Sequence, residues 1–178
     1  VADAITSRRS VQYFDPAVQM IDAEVERLLE LVHLSPSSYN IQHCRFVVMR
    51  DQELRNQIRQ ASYDQRQVTD SSLLVAICAD LKAWDREPER YWSHAPVHVQ
   101  EAMARSIREA YGSDPQVERD EAMRSCGIAA MALMLAARGM GYDTCPMIGF
   151  EPDRVAQLLH LPDDHLIALC VAVGKPAR

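Results

Sequence analysis

The chain of 178 residues is 48% hydrophobic and 25% charged, a balance that suits one compact folded domain and gives no support to a disordered, fibrous or disulfide-scaffold chain. Its formal net charge of -6 opposes a duplex phosphate backbone, which removes nucleic acid as a first reading. Of 19 basic residues only Lys82 and Lys175 are lysines, so cationic recognition falls almost wholly to arginine.

In chain order, a short N-terminal helix is predicted to end near Ser7-Arg8-Arg9-Ser10. Asp22 is placed to cap a second helix, in which Val25, Leu28, Leu29 and Val32 recur at i, i+3, i+4 and i+7 until Ser35-Pro36 stops it. Residues 46–49 read as a strand, and Asp51 caps a helix carrying Leu54, Ile58 and Ala61. Residues 73–79 form an unbroken apolar run, the pattern of a central strand covered on both faces. From Val99 through Ala102, Met103, Ile107 and Ala110 the period is helical, ending near Tyr111-Gly112. Ser113-Asp114-Pro115 then opens a helix that nothing interrupts before Gly139. It would be roughly 36 Å long at the usual rise per residue. Residues 126–137 within it are apolar on every side, so this half must be buried all round, as a central core helix, under a second subunit, or both. A short strand at residues 142–145, a helix carrying Val155, Leu158 and Leu159, and an apolar strand at residues 166–173 complete a mixed α/β layer architecture in one domain.

Five widely spaced cysteines without a CxxC read as core thiols of a reducing, cytoplasmic compartment. No charged-then-apolar leader opens the chain, and its longest apolar stretch is too short to span a bilayer, so no membrane association is expected. His94 and His98 sit at i, i+4 with Pro96 between them and no partnering glutamate, so no metal site is expected. Gly139-Met140-Gly141 lacks the third glycine of a dinucleotide fingerprint, and no GxxxxGK[ST] occurs. A nucleotide, if bound, is held without a Rossmann turn or a P-loop.

Three polar clusters interrupt the core-forming pattern. Ser7-Arg8-Arg9-Ser10 offers two guanidinium forks and hydroxyls able to hold a phosphate, or is a solvated surface. Ser35-Pro36-Ser37-Ser38-Tyr39-Asn40-Ile41-Gln42 carries hydroxyls and amides that could read a ring edge, or only serve a turn. In Pro146-Met147-Ile148-Gly149-Phe150, Gly149 permits close approach of backbone to a ligand, or closes a plain strand-to-helix turn.

In this order and spacing the clusters resemble the nitroreductase family of FMN-dependent oxidoreductases, over nearly the whole chain. Residues 4–14 resemble its opening motif, and residues 35–42 followed by Arg45-Phe46-Val47-Val48 its second signature. Residues 127–137, Gly139, Gly141 and the Pro146 to Phe150 turn resemble its third region. The resemblance implies an α/β (α+β) fold: a central mixed, mainly antiparallel sheet of four to five strands flanked by helices, with the long helix at the interface of a homodimer. It implies FMN as cofactor, its phosphate held by Arg8, Arg9 and Ser10 with help from Lys175 or Arg178. Pro36, Ser37, Ser38 and Asn40 of the second subunit would lie against the isoalloxazine. The turn of Pro146, Met147, Ile148 and Gly149 would lie beside the ring, with the Ile148 and Gly149 amides facing N5 and O4. The implied reaction is ping-pong hydride transfer from NADH or NADPH through the flavin to an electron-poor acceptor, a nitroaromatic or quinone, with no side-chain acid or base. Dehalogenation or dehydrogenation on the same scaffold, or flavin binding without turnover, are the alternatives.

Several positions depart from the family pattern. Gln12 and Gln67 stand where cations facing the ring's N1 and O2 edge are found, which predicts a flavin harder to reduce. His43 and Cys44 replace a proline and a tryptophan, leaving Cys44 either packed or an exposed thiol. Residues 81–114 hold both tryptophans in a polar segment that reads either as a lid or as surface; Tyr39, Trp84 and Trp92 are the expected substrate contacts. With Arg178 as the last residue, a C-terminal arm supplying a fifth strand is expected to be short or absent.

Overall fold

The computed structural model describes residues 1–177; Arg178, an expected phosphate ligand, lies outside them. Helices α1 (Ala2–Ser7) and α2 (Asp22–His33) precede strand β1 (Cys44–Met49). Then follow α3 (Gln52–Gln60), α4 (Gln67–Asp70) and β2 (Leu73–Asp80). After two short 3₁₀ turns, Ala83–Asp85 and Pro88–Trp92, come α5 (Val97–Tyr111) and α6 (Pro115–Gly139). Strand β3 (Asp143–Met147), α7 (Pro152–Leu158) and β4 (His165–Gly174) end the described chain.

The strands form one sheet in the order β1-β2-β4-β3, every neighbouring pair antiparallel. The parallel component the resemblance implied is reduced to an isolated bridge, Ser10 to Thr144, where the N-terminal segment lies along the edge of β3. The apolar run expected of a central strand is β2, every residue of which is buried. Its side chains alternate between two cores, as a period of two requires. Leu73, Val75, Ile77 and Ala79 face α2 and α6, while Leu74, Ala76 and Cys78 face a second core with Ile58, Val68 and Val155 of α3, α4 and α7. A third, smaller cluster of Ile41, Ala83, Trp84, Ile107 and Tyr111 roots residues 81–111 beside the sheet.

The caps follow the sequence closely, with one exception. Asp51 accepts from the Leu54 amide at 2.7 Å, and Asp114 from the Gln116 amide at 2.9 Å. Asp22, expected to cap α2, is its first helical residue; the N-cap is Ile21, whose amide donates to the Glu24 carboxylate at 3.1 Å. The reach of a glutamate three residues on replaces the missing cap side chain. Within the protomer the apolar half of α6 is covered on one side only. One face packs on the sheet and on α2, whereas Gly127, Ile128 and Met131 remain exposed, the latter two at 46% and 37%. Among the described residues no helix is long and apolar enough to cross a membrane.

Candidate functional site

Past α1 the backbone turns extended at Arg8 and runs between the two ends of the sheet's last strands. The Val11 amide donates to the Thr144 carbonyl at 3.0 Å, Asp15 N to Lys175 O at 2.9 Å, and Ala177 N to Tyr13 O at 2.9 Å. This weave brings Arg8, Arg9, Ser10 and Lys175 to one end of the molecule, where β3 begins and β4 finishes. Arg138 of α6 braces the same end, its Nε donating to Ser7 Oγ at 2.9 Å and its Nη1 to Asp143 at 2.8 Å.

The cations there are not equally free. Arg9 Nη1 donates to the carbonyls of Thr6 at 2.9 Å and Arg8 at 2.8 Å. Lys175 Nζ donates to the Gly141 carbonyl and lies 4.2 Å from the Tyr142 ring centroid. Arg8 has no side-chain partner among the described residues, and its Nε is buried. A buried guanidinium donor without an acceptor is costly, and an anion supplied from outside would satisfy it. Gln12, on the same segment, is exposed.

At the other end of β3, Pro146 and Met147 are the last strand residues. Beyond the β3–β4 ladder the Ile148 and Gly149 amides have no acceptor among the described residues, and the Ile148 side chain is 80% exposed. Sequence reasoning missed what holds this turn: Gln65 Nε2 donates to the Gly149 carbonyl at 2.6 Å, and buried Gln67 donates to Gln65 Oε1 at 2.8 Å. A Cβ on Gly149 would meet Gln65 Nε2 at 3.1 Å, so a side chain there would press the glutamine back by a few tenths of an ångström. Buried Arg55 steadies α4 in turn, donating to Val68 O at 2.7 Å and Ser71 O at 2.6 Å; burial lowers its pKa to about 10.

Residues 35–42 fold as a tight loop in which Tyr39, Asn40 and Gln42 all take positive φ, 51°, 57° and 56°. The Gln42 amide donates to Ser37 Oγ at 2.8 Å, which holds the loop closed on itself. Behind it lies a cavity of about 410 Å³ between α2, β1 and α6, lined by Ser35, Pro36, Ser37 and Cys44 among others. The loop leads into β1, and the Gly149 turn leaves β3. These are the two edge strands, three strand spacings or roughly 14 Å apart, so a single protomer does not bring the loop to the turn.

The expected substrate contacts divide. Tyr39 is exposed at the loop, its ring edge-on to Tyr111 at 6.3 Å. Trp92 is half-buried and stacks on His94 at 6.4 Å. Trp84 is only 7% exposed and stacks on Tyr111 at 6.3 Å; it is a core residue at the root of the segment, because its large ring fills the space between Ile41 and Ile107. The same root is pinned by ion pairs. Fully buried Asp80 accepts from Arg45 at 2.7 Å and from Arg86, which also reaches Asp164. His165 Nδ1 contacts Asp164 at 2.7 Å, and its contact and the Arg86 charge hold the Asp164 carboxyl below the usual range.

Residues 5–175 match the model of the nitroreductase family. The chain is 49% identical over 173 residues to protein DrgA of Synechocystis, covering 97% of this chain and 82% of that one. It is 31% identical to an NADH dehydrogenase of Thermus thermophilus, covering 100% and 89% of the two. A crystal structure from Exiguobacterium sibiricum in complex with FMN superposes with a TM-score of 0.91 at 30% identity, over 99% of this chain and 88% of that one. The chain belongs to the nitroreductase family of oxidoreductases.

Proposed function

We propose that the chain is a homodimeric, FMN-dependent oxidoreductase that takes a hydride from NADH or NADPH and delivers it to an electron-poor small molecule, a nitroaromatic or a quinone, in a ping-pong sequence. The observation that carries this reading is the orphaned, buried Nε of Arg8 at the end of β3 opposite the free amides of Ile148 and Gly149. Gly149 lies five residues beyond Thr144, or roughly 17 Å along an extended chain. That spacing suits a phosphate at one end and a flat ring at the other.

FMN, when bound, supplies a ring able to accept and release a hydride. Arg8, with Ser10 and Lys175 beside it, would hold its phosphate by charge-assisted hydrogen bonds that outweigh a distant acidic net field screened by salt. The Ile148 and Gly149 amides would donate to the ring where electrons arrive, and the Gln67-Gln65 relay keeps their turn in place. No side chain needs to move a proton. The second copy completes the site: its Pro36, Ser37, Ser38 and Asn40 would close over the ring, and the exposed Ile128 and Met131 on α6 offer the apolar face for pairing. Relatives named for NADH and bound to FMN support the donor and the cofactor, and five free thiols fit a reducing cytoplasm.

Purified protein should be a yellow dimer whose colour bleaches under NADH or NADPH without oxygen and returns on adding a nitroaromatic or a quinone. A yellow protein that neither donor bleaches would leave a flavin-binding protein without turnover, and a colourless one that FMN cannot reconstitute would remove the reading.

A further inference from the structure

We infer that Cys44 and Cys126 form a dithiol modification site, oxidised by peroxide to an intrachain disulfide. This rests on the protomer and is independent of the hydride-transfer reading. Their sulfurs are 3.6 Å apart although 82 residues separate them in the chain. Cys44 opens β1, where it is half-buried and lines the 410 Å³ cavity behind the Ser37 loop, so in the protomer a small oxidant can reach it. Cys126 is fully buried on α6, directly behind it. A disulfide needs the sulfurs at about 2.05 Å, and here they start from contact at 3.6 Å.

The two thiols differ in the way an attacking and a resolving cysteine must. The thiol–thiol contact with Cys126, able to donate to a Cys44 thiolate, pulls Cys44 below its ordinary pKa, with burial opposing and the Arg45 guanidinium helping. The same contact and burial push Cys126 up. The other three cysteines, Cys78, Cys145 and Cys170, are buried; desolvation raises all three, Cys78 and Cys170 to about 12. Peroxide chemistry needs the thiolate and access to it, and Cys44 alone combines them.

The balance closes with hydrogen peroxide as the oxidant. The Cys44 thiolate attacks one peroxide oxygen, the O–O bond breaks, and with one proton taken up Cys44 becomes a sulfenic acid and one water leaves. The Cys126 thiol then attacks the Cys44 sulfur, the S–O bond breaks, the Cys126 proton goes to the departing hydroxide, and a second water leaves. Two thiols lose two electrons in all and the peroxide gains them. Thiol exchange with an external dithiol reverses the bond.

The test uses the FMN-loaded protein treated with hydrogen peroxide. Thiols titrated after unfolding should fall by two, from five to three, and return with dithiothreitol; peptide mass spectrometry without reductant should find residues 44 and 126 joined. In Cys126→Ser, Cys44 should stop at a sulfenic acid that dimedone captures. In Cys44→Ser, the remaining four thiols should all survive. A count that stays at five in the wild type, a disulfide joining any other pair, or dimedone labelling of Cys44 as heavy in wild type as in Cys126→Ser would overturn the inference. The wild-type arms decide it even if either serine variant folds poorly.

Discussion

Gln65 holds Gly149 by its carbonyl, Nε2 to O at 2.6 Å, and is itself held by Gln67 at 2.8 Å. The turn that ends β3 is thus fixed from α4 rather than by its own residues, and its two free amides are aimed by a neighbour's side chain. Removing a neutral hydrogen bond of this kind costs about 1 kcal/mol, so Gln65→Ala should weaken FMN binding about fivefold and slow anaerobic reduction by NADH. Fluorescence titration and stopped-flow reduction read the two effects. If both match the wild type, the relay does not position the turn.

Arg8→Ala tests the phosphate assignment. Truncating one partner of a buried charged pair costs about 2 to 5 kcal/mol, so the FMN dissociation constant should rise roughly 30- to 4000-fold. The melting temperature of FMN-free protein should hardly change, because Arg8 has no side-chain partner among the described residues to lose. Arg9→Ala should do less, since Arg9 is already engaged with Thr6 and Arg8 carbonyls. FMN bound at wild-type strength in the Arg8 variant would end the assignment.

Gln12→Arg should raise the flavin midpoint potential. Reduction places negative charge on the ring edge that the family faces with a cation, and exposed Gln12 gives that charge no counterpart. Potentiometry on the two proteins decides it, an unchanged or lower value in the variant counting against the idea.

Much of this fold is legible without coordinates because its signals are local. The seven apolar residues 73–79 announce a strand covered on both faces, and Asp51 and Asp114 announce caps. The site was legible only in pieces. Nothing local in the sequence shows that residues 8–12 lie along β3, since that depends on pairing with a segment some 130 residues on and on Lys175 O receiving the Asp15 amide. Gln65 carries no pattern of its own, and its role arises from a contact across 84 residues. Trp84 misled because a tryptophan among charged neighbours looks exposed, while the ring turns inward onto Tyr111.

The two tryptophans should therefore separate on mutation. Trp84→Ala removes a buried ring and should destabilise by about 3 to 5 kcal/mol, read by urea unfolding. Trp92→Ala, half-buried against His94, should leave stability and FMN affinity near wild type while changing the ratio of kcat/KM values between a nitroaromatic and a quinone. An unchanged ratio would reduce residues 88–92 to a packed surface.

His43 gives the protein an acid sensitivity of calculable sign. The ring is fully buried beside Tyr111 at 6.1 Å, neither nitrogen has a side-chain partner among the described residues, and burial, outweighing the pull of Asp80, lowers its pKa from the ordinary 6.5. The unfolded chain therefore binds a proton near pH 6.5 that the native state refuses. Stability is intact above that pH and falls as the pH drops below it, by up to about 1.4 kcal/mol per unit, until the lowered native pKa is reached. The Asp164 carboxyl, held below its usual range, loses its contribution only at lower pH and does not blur this window. His43→Phe keeps a ring edge-on to Tyr111 and removes the proton, so denaturant unfolding should show the wild type losing about 1 kcal/mol more than the variant between pH 7.5 and 5.5. Parallel losses in the two proteins would mean that His43 titrates in the native state as it does in the unfolded one, and that its burial is not felt as charge.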